Sequence, residues 1–394
     1  VKRGYRNFNS GPDFLNAEII INGIKWIGNV EIHLNSSLWY SHKHHRDPSY
    51  NNVVLHVVFD EDKDCFNSEG FEIPCLELRS RVSKNLLTHY SDLRNSLNFI
   101  PCSDSIQDVN INSIQLAISM GVESRLERMS KEIEMDLSEN RGNWQEVFYS
   151  LLIRGFGFKT NSDAMRDLSK ILPVKLLLQH RDNLFQLESL LFGQAGLLES
   201  KVQDNYILKL KKEYRFLARK YNLAPMSIVN WRFMRMRPAN FPTIRLAQIA
   251  ALFYNKGNLW RDIPSCENAG DMRNLFLVSA SEYWNTHFRF GELSASKTKS
   301  IGTSSIDVLI INSVIPFLFT FGKIRRIERV SHLALNILKE LKGEYNRVIK
   351  EWKEMGVACK SAYESQGMLE LSKKYCNFGK CASCHIGKEI LREK

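Results

Sequence analysis

A chain of 394 residues, 44% hydrophobic and 25% charged, is long enough for more than one domain and too apolar to be disordered. Its formal net charge of +11 is unevenly spread: residues 1–112 hold 11 Lys+Arg against 14 Asp+Glu, and the remainder holds 43 against 29. That imbalance fits an acidic front domain joined to a basic domain that binds a polyanion; the plainer alternative is a solvated basic surface with no partner. Eight cysteines, three of them near the C-terminus, do not make a secreted disulfide scaffold and suit a reducing, cytoplasmic compartment. The longest apolar run, 306–321, is broken by Asp307, Asn312 and Pro316 and predicts a buried helix rather than a membrane span. No signal-peptide pattern precedes the first motif at Gly11, and the opening Val1 leads to the expectation of a missing natural N-terminus.

In chain order, residues 17–21 and 24–34 read as a hairpin closed by Asn22-Gly23. A polar, His-rich stretch at 35–52 contains the turn pair Asp47-Pro48. The β-branched run 53–59 predicts a central strand, 60–70 an acidic loop, 71–78 a short strand and 79–97 a helix on the sheet. Residues 98–112 are loop-like and mark a domain boundary. Beyond them Ile118, Val122, Leu126, Met129, Ile133 and Leu137 recur on one helical face, with Arg125, Arg128 and Lys131 outside it. Further helices are expected at 144–154, 163–171, 174–192, 203–221, 243–254, 272–289, 305–321, 328–354 and 364–375. The fold class is therefore α+β: a small mixed β-sheet domain (1–112), a large all-α basic domain (113–360), and a C-terminal helix with a cysteine knuckle (361–394).

Two groups in the first domain carry chemistry. Asp13 precedes the hairpin, and Glu31 and His33, two residues apart on a strand, share a face, while Val30 and Ile32 are expected to point into the core. An acid entering one strand and an acid on its neighbour can converge on Mg²⁺ or Mn²⁺, with His33 orienting or deprotonating water. Asp13, Glu31 and His33 are thus the catalytic candidates. The second group is His42, His44, His45 and Asp47, with Trp39, Tyr50 and, in the next strand, His56. Imidazoles beside carboxylates suit Zn²⁺, Mn²⁺ or Fe²⁺, so Asp13, Glu31, His42, His44 and His56 are candidate metal ligands. The opposing reading has Asp13 capping a turn, Glu31 in an ion pair and the His loop on the surface.

Pro12-Asp13, a hairpin, and Glu31-Ile32-His33 together resemble the motif of the PD-(D/E)XK nuclease superfamily, with His33 where that pattern has Lys. The resemblance implies a nuclease-like sheet and metal-dependent phosphodiester hydrolysis. Nearly the whole chain also resembles an uncharacterised bacterial family, a domain of unknown function common in the Bacteroidetes. Stretches 11–14, 28–33, 39–45, 50–58, 237–250 and 375–387 carry that likeness, and it implies no activity.

In the basic domain, Asn230-Trp231-Arg232-Phe233-Met234-Arg235-Met236-Arg237-Pro238 interleaves arginines with large apolar side chains, and Phe241, Arg245 and Gln248 follow. Arginines grip phosphates and aromatics stack on bases, so Trp231, Arg232, Arg235, Arg237 and Arg245 are candidates for binding DNA or RNA. Ordinary core packing of Trp231 and Phe233 is the alternative. At the C-terminus Cys376, Cys381, Cys384 and His385 have the spacing of a metal knuckle. His385, Cys359 or Cys266 could complete a Zn²⁺ site; an iron–sulfur cluster would need four cysteines. Three reduced thiols without metal are the alternative.

The expected function is a metal-dependent nuclease-like protein. One alternative is a non-catalytic nucleic-acid-binding or scaffold protein with a decayed nuclease core. Another is a metal hydrolase of a different class centred on His33, His42, His44 and His56.

Overall fold

The structure, a computed structural model, describes residues 2–199, 202 and 204–392. It divides into two compact units, Val1–Leu97 with Gly387–Lys394, and Asn98–Ile386. As expected, a small mixed sheet is followed by a large helical part.

The first unit is a five-stranded sheet in the order β1-β2-β3-β4-β5. Strands β1 (Tyr5–Arg6), β2 (Phe14–Ile21) and β3 (Ile24–Asn35) are antiparallel; β4 (Val53–Asp60) and β5 (Cys75–Glu77) run parallel to β3. Asn22 and Gly23 take φ of 50° and 80°, the left-handed pair that a tight two-residue hairpin requires. Pro74 has no N–H to donate, and the predicted strand at 71–78 shrinks to Cys75–Glu77. The expected helix runs Lys84–Asn95, with the Ser83 side chain accepting from the Leu86 N–H at its start.

Strand parity holds, but the covered face is the polar one. Ile32 is 45% exposed and Leu34 71%, whereas Glu31 and His56 are buried. The expectation that Val30 and Ile32 both enter the core is corrected: only Val30 is buried. The cause is the segment between β3 and β4. Its Trp39 and Tyr50 form a small core with Val53, Cys65 and Ile73. Trp39 Nε1 donates to the Phe66 carbonyl (2.9 Å) and Tyr40 OH to that of Asp64 (2.9 Å), tying this cover to the following loop.

The second unit is organised around the helix Ile111–Glu139, capped by Asn110. Ile118, Val122, Leu126 and Ile133 are buried as their spacing predicts. Arg125, expected outside the stripe, is buried as well. This helix packs on Ala362–Lys374 at a glycine crossing, where a Cβ on Gly121 would lie 2.6 Å from the Gly367 carbonyl oxygen. The apolar run forms Thr303–Leu309, a π-helical turn Ile310–Val314, and Ile315–Arg325. Among the described residues Thr303–Arg325 is the one helix long and apolar enough to cross a membrane, and 67% of its apolar window is buried inside the protein.

Three expected helices differ. Residues 174–192 split into Val174–Gln179 and Leu184–Gln194, because Asn183 caps the second. Residues 328–354 split into Glu328–Glu340 and Arg347–Glu354, the latter capped by Asn346. Residues 272–289 yield only Ala269–Leu275, followed by a 3₁₀ turn and the strand His287–Arg289, which pairs with Glu292–Leu293 around Gly291 (φ 72°).

Gly28 sets the spacing of β3 and β4, since a Cβ there would stand 2.6 Å from the Asn52 carbonyl oxygen and 2.4 Å from Val54 Cγ1. Gly28→Ala should destabilise the first unit by about 1–3 kcal/mol, the range for forced overpacking. A urea midpoint read from NMR signals of β4 in the full chain measures this, and an unchanged midpoint contradicts it.

Candidate metal centre

The β2–β3 hairpin locks two acids side by side. The Asp13 N–H donates to Glu31 Oε2 (3.0 Å), and the Ile32 N–H donates to Asp13 Oδ2 (3.0 Å). Across the parallel pair, Glu31 is in register with His56, and His33 lies two residues further along the same face. His33 Nδ1 is 2.9 Å from His56 Nε2, and His33 Nε2 is 3.1 Å from His42 Nδ1.

His42 and His44 arrive from the covering segment. It folds as a short helix Leu38–Ser41 and a 3₁₀ turn His44–Arg46, separated by Lys43 in the left-handed conformation (φ 64°). Asp62 anchors its start, accepting from the Ser37 N–H (2.8 Å) and the Ser36 hydroxyl (3.0 Å). The His44 ring stacks on Tyr50 with centroids 3.8 Å apart.

The result is convergent. Donor atoms of His33, His42 and His44 all lie within 4.8 Å of one another. Glu31 Oε1 stands 3.5 Å from His33 Nε2 and 3.5 Å from His44 Nε2. Donors around a tetrahedral ion with ordinary Zn–N bonds are roughly 3.3 Å apart; the three imidazoles approach that spacing, and Glu31 stands beside two of them. His44 Nε2 is buried without a hydrogen-bond partner, which is what a ligand atom awaiting a cation looks like. His42 is exposed and forms the open side.

Electrostatics favour the ligand state. Burial, reinforced by the neighbouring imidazoles, pushes His33 and His56 down to about 4, and burial lowers His44 too. These rings are neutral at neutral pH, as coordination requires. Burial pushes the Glu31 carboxyl up to about 7; the Asp13 charge adds to this and the Asp13 N–H opposes it.

Asp13, Glu31, His33, His42, His44 and His56 are therefore brought together. His45 lies beside Tyr40 (centroids 5.0 Å), and the Asp47 side chain accepts from the Ser49 N–H. In the basic segment two candidates are corrected. Trp231 is buried and its Nε1 donates to the Ala195 carbonyl (2.8 Å). Arg245 is buried over the Phe158 ring and donates to Gln248 (2.9 Å) and Asn240 (2.6 Å). Trp231 therefore serves packing, and Arg245 is held inside by Nη1 and Nη2 while its Nε is buried without a partner; Arg232, Arg235 and Arg237 are exposed.

The knuckle cysteines sit in two 3₁₀ turns, Cys376–Phe378 and Cys381–Ser383, linked through Gly379 (φ 59°). Of the suggested partners, Cys359 Sγ faces the Ser361 carbonyl (3.8 Å) and Cys266 Sγ that of Asp262 (3.8 Å). Sequence reasoning missed Cys102. It is buried, and its thiol is pushed up by burial and then by Cys376, Cys384 and Cys381. Its loop is placed by the Arg347 guanidinium over the Phe99 ring (4.5 Å), at the helix whose Trp352 donates to Ser372, just ahead of Cys376 (3.1 Å). No spacing rule links a cysteine to partners across an entire helical unit; a leftover cysteine was the only available signal.

The fold and site define an α+β protein with an imidazole–carboxylate cluster on the covered face of a mixed sheet. A family model described as protein of unknown function (DUF2851) matches residues 1–347, and the chain belongs to that family. The match includes the whole imidazole cluster and stops short of the cysteine turns. No curated protein and no solved structure matches the chain.

The shifts set a pH dependence for the metal-free protein. His33 and His56 fall from 6.5 to about 4 on folding, so their stabilising contribution is full above pH 6.5 and lost as pH falls to about 4. Glu31 rises from 4.5 to about 7, so its contribution is full below pH 4.5 and lost as pH rises through 7. The imidazoles outnumber the carboxyl, and chelated protein should lose stability on acidification from pH 7 to 4. In Glu31→Gln the opposing group is gone and the loss should be steeper. Urea midpoints of β3 and β4 signals across that range provide the check.

Proposed function

We propose that the protein is a metal-dependent hydrolase of nucleic-acid phosphodiesters. In this reading His33, His42 and His44 hold a transition-metal ion and Glu31 is the general base. The observation that carries it is the convergence of three imidazole donors within 4.8 Å, with Glu31 Oε1 3.5 Å from two of them. Zn²⁺ or Mn²⁺ suits an imidazole-rich set better than Mg²⁺, which prefers oxygen donors. A bound ion of this kind acidifies water and offsets charge on a phosphoryl oxygen. Glu31 is built to take the proton: its Oε2 is held by the Asp13 N–H, leaving Oε1 toward the imidazoles. Asp13 positions Glu31 through its backbone. His56 fixes the ring of His33 through Nδ1, which leaves Nε2 as the lone-pair nitrogen.

Two features support a phosphodiester substrate. Asp13, the hairpin, Glu31 and His33, followed by a parallel strand, stand in the order that the nuclease resemblance implies. The residues after 112 carry 43 Lys+Arg against 29 Asp+Glu. Metal-stripped protein resupplied with Mn²⁺ or Zn²⁺ should cut labelled single- or double-stranded DNA or RNA. Glu31→Gln should lower the rate by about 10²–10⁴-fold, as for loss of a general base, while retaining metal, and His44→Ala should lose the ion. Equal cleavage by wild type and Glu31→Gln would sink the proposal.

We also infer that Cys102, Cys376, Cys381 and Cys384 form one four-thiolate site for Zn²⁺ or an iron–sulfur cluster, acting as a structural staple. Elemental analysis and visible absorption distinguish the two. Cys102→Ser should lose the bound metal or bleach the cluster. Full metal content in Cys102→Ser, with loss in Cys359→Ser or Cys266→Ser, would reassign the fourth ligand.

A further inference from the structure

The second unit has a half-open cavity of ≈ 680 Å³ that the hydrolase reading leaves unused. Its size is that of a small-molecule site. Five cationic side chains line it: Arg125, Arg128, Arg154, Lys159 and Lys373. Only two of them are matched. Arg128 is held by Glu370 through two bonds (3.1 and 2.9 Å), and Glu132 lies 3.6 Å from Arg128 and 3.8 Å from Arg154. Among the described residues no ion pair involves Arg125, Lys159 or Lys373.

Arg125 is the informative member. It is only 7% exposed; Nη2 donates to Asn312 Oδ1 (2.8 Å), and Nη1 is buried with no partner. A guanidinium taken out of water with a donor unsatisfied is costly, and an anion in the adjoining space removes that cost. Burial, and then the neighbouring Arg128 charge, lower its pKa to about 10 although Glu344 and Glu370 act in the other direction. Asn312 belongs to the π-helical turn Ile310–Val314, an irregularity that recurs at functional sites. Met129, Phe158 and Val308 form an apolar part of the wall, while Glu132, Ser162 and Ser313 also line it.

We propose that this cavity binds a nucleoside phosphate, its phosphate on Arg125, Lys159 and Lys373 and its base on the wall formed by Met129, Phe158 and Val308. A buried guanidinium with an unpartnered donor, beside two lysines outside any ion pair among the described residues, calls for a phosphate rather than a neutral ligand, and the apolar part of the wall calls for a flat body attached to it. A free mononucleotide and the phosphorylated end of a strand present the same chemistry. The inference does not depend on the metal centre, because all the residues belong to the second unit and binding needs no hydrolysis.

The test is calorimetric titration of the full chain, in chelator so that the imidazole cluster is metal-free. The probes are AMP, adenosine, inorganic phosphate, and a short oligonucleotide with and without a 5′-phosphate. AMP or the 5′-phosphorylated strand should bind saturably, and adenosine and the 5′-hydroxyl strand at least about tenfold more weakly, as expected when charge-assisted bonds are lost. Preference for AMP assigns the free nucleotide as ligand; preference for the phosphorylated strand assigns its end. Arg125→Gln should weaken binding by at least about tenfold. Lys159→Ala, an exposed change that leaves thermal melting unaltered, should weaken it about three- to tenfold and decides the matter where Arg125→Gln fails to fold. Absence of binding, equal affinity in wild type and Lys159→Ala, or inorganic phosphate binding as tightly as AMP would overturn the assignment.

Discussion

The parallel register of β3 and β4 is the constraint on which the first unit depends. It sets Glu31 opposite His56 and brings His33 within 2.9 Å of that ring. The approach is possible because Gly28 has no side chain to meet Asn52 and Val54. One residue of slip would turn every side chain of β3 over, exposing Glu31 and His33 and burying Ile32 and Leu34. That inversion would satisfy the hydrophobic effect more simply than the observed arrangement. The fold resists it because the segment from Ser36 to Tyr50 supplies its own apolar contacts, Trp39 and Tyr50, and hydrogen-bonds to the loop beyond β4. Burial alone does not account for a sheet that covers its polar face and leaves Ile32 and Leu34 in solvent.

Burial also decides the charge state of the cluster. Imidazolium ions so close together would repel one another and lose hydration, so the rings stay neutral, and the only carboxylate held deeply among them is protonated near neutrality without a cation. A divalent ion held by the imidazoles would offset these penalties: its charge would favour the ionised Glu31 carboxyl, and it would satisfy the His44 nitrogen that has no hydrogen-bond partner. His33 Nδ1 meets His56, and its opposite nitrogen faces His42.

Local patterns were legible in the sequence where a rule of period or turn chemistry applied. The hairpin at Asn22-Gly23, the shared face of Glu31 and His33, and the buried stripe of Ile111–Glu139 all followed from such rules. What escaped was set by tertiary contact. Which face of β3 is covered depends on a polar segment whose fold is fixed by Ser36, Ser37 and Asp62 rather than by its own pattern. Arg245 and Trp231 looked like a surface for phosphates and bases, yet Arg245 lies on the helix Pro242–Lys256, buried along most of its length, and Trp231 is buried with its indole N–H on the Ala195 carbonyl. Cys102 is distant in sequence from the three thiols whose charges act on it, and periodicity says nothing about such encounters.

Arg125 extends the argument to the second unit, because its burial contradicts its sequence position as the bland packing of Trp231 does not. The Trp231 indole N–H is satisfied by Ala195, and Arg245 uses Nη1 and Nη2 on Gln248 and Asn240 while its Nε is buried without a partner; neither side chain lines the cavity. Arg125 has one partner, Asn312, and that partner is itself displaced into the cavity wall by a π-helical turn. A helix that accepts an irregular turn and a half-satisfied guanidinium at the same spot bears two separate costs there. Neither improves packing at the glycine crossing of Gly121 and Gly367 nearby, where the same helix gains its tightest contact. The feature common to both is the space they border, and a group that fills it with negative charge relieves the guanidinium while giving the irregular turn a role.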